Sequence, residues 1–155
     1  MQITLIAIGH KIPAWAQTAT DDYLGRLPAD WRVTVKTPRA VDNTSAPIER
    51  VLTLEGERVL AAMPSGATLV ALDERGKDMT TAAVAQQLAH WRDDGASPAF
   101  VIGGANGLAP EVKLQARLLL RLSSLTLPHA LARVLLAEQL YRAWSLLAGH
   151  PYHRA

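Results

Sequence analysis

Two hydrophobic periodicities alternate along this chain of 155 residues. Residues 2–8 are β-rich and alternate apolar with polar, which predicts a first strand. Residues 14–27 carry a helical pattern that stops before Pro28, a residue that cannot continue a helix. Residues 31–37 alternate again, predicting a second strand with one wetter face. Asp42-Asn-Thr-Ser45 is a turn and cap cluster; Ser45, with Glu49 nearby, is expected to start a helix running to Met63, with Pro47 in its first turn. Pro64-Ser-Gly66 ends that helix, and the continuous apolar run 67–72 predicts a central parallel strand buried on both faces. Thr80 or Thr81 caps a helix to Asp93, closed by Gly95. Residues 98–102 read as a short buried strand. Pro110 suits the first turn of a helix over 111–120, and residues 123–127 read as the last strand. Leu131, Leu135, Leu140, Trp144 and Leu147 mark the apolar stripe of a closing helix.

The sum is five β–α alternations with no repeat, linker or low-complexity stretch. Such alternation predicts one domain over residues 1–155, a doubly wound α/β sheet that is mostly parallel. Ligands in these sheets bind beyond the carboxyl ends of the strands. Three loops qualify, those after Leu72, Ile102 and Leu127.

Composition narrows the chemistry. Hydrophobic residues make up 49% of the chain and charged residues 19%, which excludes a disordered chain. Cysteine is absent, so disulfides, thiolate nucleophiles and cysteine-held metals are excluded. The apolar start lacks the basic lead of a signal peptide. The apolar segment 130–148 carries Arg133, Glu138 and Arg142, so no membrane span is expected and the cytoplasm is the plain compartment. A net charge of +2 permits an RNA partner without requiring one.

The candidate sites then sort by chemistry. Gly103-Gly104-Ala105-Asn106-Gly107 lets a ligand approach bare backbone. It lacks the G-x-G-x-x-G spacing, so a dinucleotide site is poorly supported and a tight strand-to-helix connection reads equally well. Leu122-Ser-Ser-Leu-Thr-Leu127 reads either as a plain buried strand or as a strand end whose backbone binds an adenine edge between leucine walls. His129 and Arg133 share one helix face, as a surface pair or as part of a site; Glu138 and Arg142 are spaced for a structural ion pair. His10, His90, His150 and His153 have no metal-ligand spacing, so no metal is expected. No nucleophile stands beside a base, so covalent catalysis has no support. The terminus, His150-Pro-Tyr-His-Arg-Ala155, concentrates proton-transfer groups and a cation, which matter only if something ties the tail down.

The residues Ile102-Gly-Gly104, Gly107-Leu108, Leu122-Ser-x-Leu-Thr-Leu-Pro-His129, the run from Arg133 to Trp144, and His150-Pro-Tyr-His-Arg154 together resemble the RlmH family. These are small SPOUT-class methyltransferases of large-subunit ribosomal RNA. Ile6-Ala-Ile-Gly9 with Lys11, residues 23–26, Leu72-Asp73 with Gly76-Lys77, and Trp91 extend the resemblance over essentially the whole chain. It implies a SPOUT-type (α/β knot) parallel-sheet fold with a C-terminal trefoil knot. It implies S-adenosylmethionine-dependent methylation of N3 of a pseudouridine in 23S rRNA on the assembled ribosome. Homodimers, with each tail near the partner subunit, are implied too; DNA and membrane are not expected partners. By position, the cofactor pocket would be Leu72, Gly103 and the run Leu122, Ser123, Ser124, Leu125, Thr126 and Leu127. His129, Arg133, Tyr152, His153 and Arg154 would be the catalytic and RNA-facing groups. Methylation of another RNA such as tRNA, or a non-catalytic ribosome-binding module, are the alternatives. Two departures stand out. Ala105-Asn106 replaces the Pro-Glu common in relatives, and residues 39–44 are nearly neutral where relatives can be lysine-rich.

Overall fold

The computed structural model describes every residue except His10, Asn43, Thr44 and Ala155. In chain order the elements are β1 (Gln2–Ala7), α1 (Ala14–Gly25), β2 (Arg32–Lys36), α2 (Ile48–Ala62), β3 (Thr68–Asp78), α3 (Thr81–Asp93), β4 (Pro98–Ile102), α4 (Pro110–Gln115), β5 (Leu118–Arg121) and α5 (His129–Ala148). A short 3₁₀ turn, Pro151–Arg154, follows. The strands form one sheet in the order β2-β1-β4-β3-β5, and every pairing is parallel.

Side chains alternate across a strand, and β1 divides its apolar residues accordingly. Ile3, Leu5 and Ala7 pack with Phe100, Val70, Leu88, Leu136 and Leu140, the side covered by α3 and α5. Ile6 and Ile8 pack with Leu69, Val101, Val59 and Val112, the side covered by α2 and α4. Helices on both faces let β4, at the centre, be buried at all five positions, as parallel sheets require. Among the described residues no helix is long and apolar enough to cross a membrane.

Local signals held in several places. Thr80 caps α3, its hydroxyl accepting from the Ala83 N–H at 3.1 Å. Pro110 opens α4, and Gly95 follows α3 at φ +70°. At the start of α2 the outcome differs: Pro47 occupies the cap position, without a side-chain cap bond, and the helix begins at Ile48. Part of the expected cap cluster, Asn43 and Thr44, lies outside the described residues.

The last third departs most. The helix expected over 111–120 ends at Gln115, and Leu118–Arg121 forms β5 instead. Residues 123–127, expected as a strand, form a loop. Short apolar runs do not separate helix from strand by periodicity; pairing of Leu118, Leu119 and Leu120 with β3 decides this one. Beyond it, the Ser123 hydroxyl accepts from the Leu125 N–H at 2.9 Å, a serine turn that competes with a strand ladder. In the closing helix Leu140 is buried and Trp144 and Leu147 pack against the core, as expected; Leu136 and Ala143 join them, while Leu131 is 40% exposed.

β3 runs past the expected end at Leu72. Leu120 of β5 is opposite Leu72 and again opposite Lys77, so residues 73–76 leave the ladder and return. The return is tight. A Cβ on Gly76 would stand 2.7 Å from the carbonyl carbons of Leu119 and Leu120, and backbone on both sides cannot yield. Gly76→Ala is expected to destabilise the fold by about 1–3 kcal/mol, the usual cost of overpacking, measured as a lower denaturation midpoint.

Candidate cofactor pocket

β4, β3 and β5 are neighbours in the sheet, so their carboxyl ends lie side by side. The excursion of β3 after Leu72 and the loops that follow β4 and β5 surround a cavity of about 780 Å³, within the range of small-molecule sites. Leu72 and Gly103 line it, as do Leu122, Ser123, Leu125, Thr126 and Leu127. Ser124 is not part of the lining. The three loops chosen from the sequence therefore meet, although the third follows a strand that ends at Arg121 rather than at Leu127.

The glycine loop is shaped by contact rather than by a phosphate motif. Gly104 and Gly107 form an isolated antiparallel bridge, and Gly107 has φ +83°, a conformation side chains rarely adopt. A Cβ on Gly103 would sit 2.4 Å from the Gly107 carbonyl oxygen. The strand end must be bare for the loop to turn back on it.

His129 locks this loop to the last helix. Its Nδ1–H donates to the Gly103 carbonyl at 3.0 Å, and its Nε2 accepts from Arg133 Nη2 at 3.3 Å. That pair of bonds fits only the neutral ring. Burial pushes the His129 pKa below its ordinary value; the Gly103 carbonyl opposes the shift, and the Arg133 charge adds to it. With both nitrogens engaged, His129 is placed to hold the loop rather than to remove a proton. Arg133 itself is 3% exposed. Its Nε has no hydrogen-bond partner among the described residues, and burial lowers its pKa.

Residues not named as site candidates from the sequence also line the cavity. Asp73, in the β3 excursion, lies 2.7 Å from the Lys113 ammonium and accepts from the Arg75 N–H at 2.9 Å. Burial pushes the Asp73 carboxyl up, but the Lys113 and Arg75 hydrogen bonds outweigh it and leave the pKa below the usual range. The signal was available: Asp73 directly follows the apolar run 67–72, at the tip of a predicted strand.

The tail is elsewhere in the same chain. α5 has 20 residues, about 30 Å at 1.5 Å per residue, with His129 at one end and the tail beyond the other. There Tyr152 donates its hydroxyl to Glu138 at 3.0 Å, and Glu138 pairs with Arg142 at 2.7 Å. The Arg142 guanidinium lies 4.9 Å from the Tyr152 ring centre. Burial pushes the Tyr152 phenol pKa well up, helped by its hydrogen bond to Glu138, so the phenol is a donor at neutral pH. His153 Nδ1 donates to the His150 carbonyl. Thus the fold gathers His129 and Arg133 at the start of α5, and packs the tail back against its second half, with Tyr152 reaching Glu138 and Tyr141; none of the described tail residues lines the cavity.

A parallel α/β sheet with helices on both faces, opening at three adjacent strand tips onto a backbone-lined cavity, defines a protein of the small-ligand-binding α/β class. Residues 1–153 match the family model described as "Predicted SPOUT methyltransferase", and the chain belongs to that family. It is 53% identical over 154 residues to the "Ribosomal RNA large subunit methyltransferase H" of Polynucleobacter asymbioticus, covering 99% of both chains. The protein of that name from Janthinobacterium sp. is 50% identical over 155 residues, again 99% of each. Among solved structures, a probable methylase family protein from Haemophilus influenzae is similar in fold, with a TM-score of 0.56 and 14% identity, over 99% of this chain and 70% of that one.

A depressed His129 pKa means that the unfolded chain takes up this proton first, so stability is fully present above the ordinary value of 6.5 and falls as pH drops below it. The loss of melting temperature between about pH 7 and 5 is expected to be smaller in His129→Gln than in the wild type, as followed by circular dichroism.

Proposed function

We propose that this protein transfers a methyl group from S-adenosylmethionine to N3 of a pseudouridine in 23S rRNA, on the assembled ribosome in the cytoplasm. The observation that carries the reading is the convergence of Leu72, Gly103 and five residues of the run Leu122–Leu127 on one cavity. It is supported by full-length identity of about half to proteins named for large-subunit ribosomal RNA methylation.

The cavity suits the methyl donor. Leu72, Leu122 and Leu127 offer apolar walls, and the bare backbone at Gly103 leaves no room even for a Cβ. Exposed loop amides and carbonyls can read an adenine edge, and leucines can cover its faces. Bound there, the donor supplies an electrophilic methyl on sulfonium. The chain's task is to present a uracil N3 in line with it and to take away the N3 proton. Positioning by such a pocket is worth about 7–11 kcal/mol, more than a base contributing about 10²–10⁴-fold.

His129 is already spent on the loop and Tyr152 on Glu138, so His153 is the base in this reading. Arg154 and Arg133 stabilise negative charge on the ring oxygens. The reading includes a homodimer in which one subunit's tail serves its partner's cavity, since none of the described tail residues lines the cavity of its own chain. The same reading carries a trefoil knot made by the segment that follows β5. With a net charge of only +2, the protein takes its specificity from ribosome shape rather than from naked RNA.

A methyl-transfer assay with labelled cofactor on ribosomes, followed by nucleotide mapping, tests the reading. One pseudouridine methylated at N3 is expected; label on tRNA, or none, would overturn it. His153→Ala and Arg154→Ala are each expected to slow transfer about 10²-fold or more, with cofactor affinity by calorimetry near wild type. Mixed dimers of Arg154→Ala with a cavity-blocked Gly103→Val subunit should regain part of the activity, since one intact cavity then faces an intact tail.

A further inference from the structure

An acid lies buried where α2 passes under the glycine loop. Glu55 stands on the helix face of Val51 and Val59, four residues from each, and all three are buried. Only 6% of Glu55 is exposed. A carboxylate in an apolar stripe must find hydrogen bonds or be strongly disfavoured. Among the described residues no cation pairs with it. Its Oε2 accepts instead from the Val41 N–H at 3.0 Å, in the segment that follows β2.

The carboxylate also abuts the glycine loop. A Cβ on Gly104 would lie 3.3 Å from Glu55 Oε1 and 3.5 Å from Oε2. The next residue presses on the far end of that loop, since a Cβ on Gly56 would stand 2.8 Å from the Ala109 Cβ. One turn earlier, Leu52 lines the cavity. One turn on, Arg58 donates to the Arg39 carbonyl at 2.7 Å. A single helix thus grips the segment after β2 through Glu55 and Arg58, lines the cavity through Leu52, and packs Gly56 against Ala109.

We propose that Glu55 is a positioning residue for the methyl donor: by holding Val41 on one side and abutting Gly104 on the other, it sets the height of the glycine loop over the cavity. Glu55 is not itself part of the cavity lining, so it acts through the loop and touches neither donor nor RNA. The inference rests on the cavity being the donor's site and makes a separate claim about what shapes it.

Calorimetry with S-adenosylmethionine on full-length wild type, Glu55→Gln, Glu55→Ala and Gly104→Ala tests it, with melting temperatures recorded beside each. Glu55→Gln keeps an oxygen for the Val41 N–H and should bind within about threefold of wild type; Glu55→Ala loses it and should bind at least about tenfold more weakly. On ribosomes, Glu55→Ala should raise KM for the donor by a similar factor while kcat stays within about twofold, because only donor binding is disturbed. Gly104→Ala probes the same contact from the loop side and carries the test should Glu55→Ala not fold; it should weaken binding several-fold, about as overpacking predicts. A lower melting temperature with wild-type affinity in Glu55→Ala would overturn the proposal. Equal losses in Glu55→Gln and Glu55→Ala, or wild-type affinity in Gly104→Ala, would do the same. If the wild type itself binds no donor, the functional reading fails rather than this one.

Discussion

One hydrogen bond joins the end of the central strand to the start of the last helix: His129 Nδ1–H to the Gly103 carbonyl. β4 delivers Gly103 at the middle of the sheet, and a carbonyl at a strand's free end has no ladder partner waiting for it. Without a donor from α5 the glycine loop would keep its own Gly104–Gly107 bridge and its contact with α2 but lose its tie to the last helix. With it, the chain between β5 and α5 must pass the same strand tip. That is how residues 122–128 come to wall the cavity. Gly9 completes the arrangement, for a Cβ there would come within 3.4 Å of the His129 Nε2.

The same interaction has an electrostatic consequence. Arg133 reaches His129 from one turn further along α5, and it is buried with no carboxylate paired to it among the described residues. A neutral imidazole accepts one of its protons but does not neutralise it. A buried guanidinium left so is costly, and its retention is understandable if an anion completes it at some stage of the reaction. Charge developing on a uracil ring is of the right sign and transient. At the rim, by contrast, Lys113 is neutralised by Asp73 at 2.7 Å. The uncompensated cation is therefore buried behind His129, outside the cavity lining, and the compensated one lines the cavity.

Much of this was legible in the sequence, for identifiable reasons. Strands in the first two thirds announce themselves by alternation or by continuous apolar runs, and Thr80 and Pro110 mark helix starts by local chemistry alone. Legibility failed where only tertiary pairing decides. Leu118–Leu120 could be the end of a helix or a strand, and β3 settles the matter. Ser123 then turns the chain, so the stretch that looked most like a strand is the one that stays open for a ligand. The site was legible as three loops because carboxyl ends of parallel strands face one way. Glu55 was missed even though an acid four residues from Val51 and from Val59 breaks an apolar stripe. A stripe broken by charge is a recognisable signal of a buried polar contact. The β3 excursion that supplies Asp73 left a weaker trace, because nothing in periodicity shows that a strand resumes.

The tail poses the remaining geometric problem, and α5 sets its scale. A terminus of six residues is ordinarily frayed, yet this one is pinned by Tyr152 on Glu138 and by rings at 4.5 Å (Tyr141 and Tyr152) and 5.4 Å (Trp144 and His150). Pinning costs conformational entropy, and here it lays the tail back along the second half of α5, against Glu138, Tyr141 and Trp144. None of the described tail residues lines the chain's own cavity, so in the proposed dimer the cavity that a tail serves is the partner's. The aromatic contacts and the Glu138–Arg142 pair hold that tail from within its own chain.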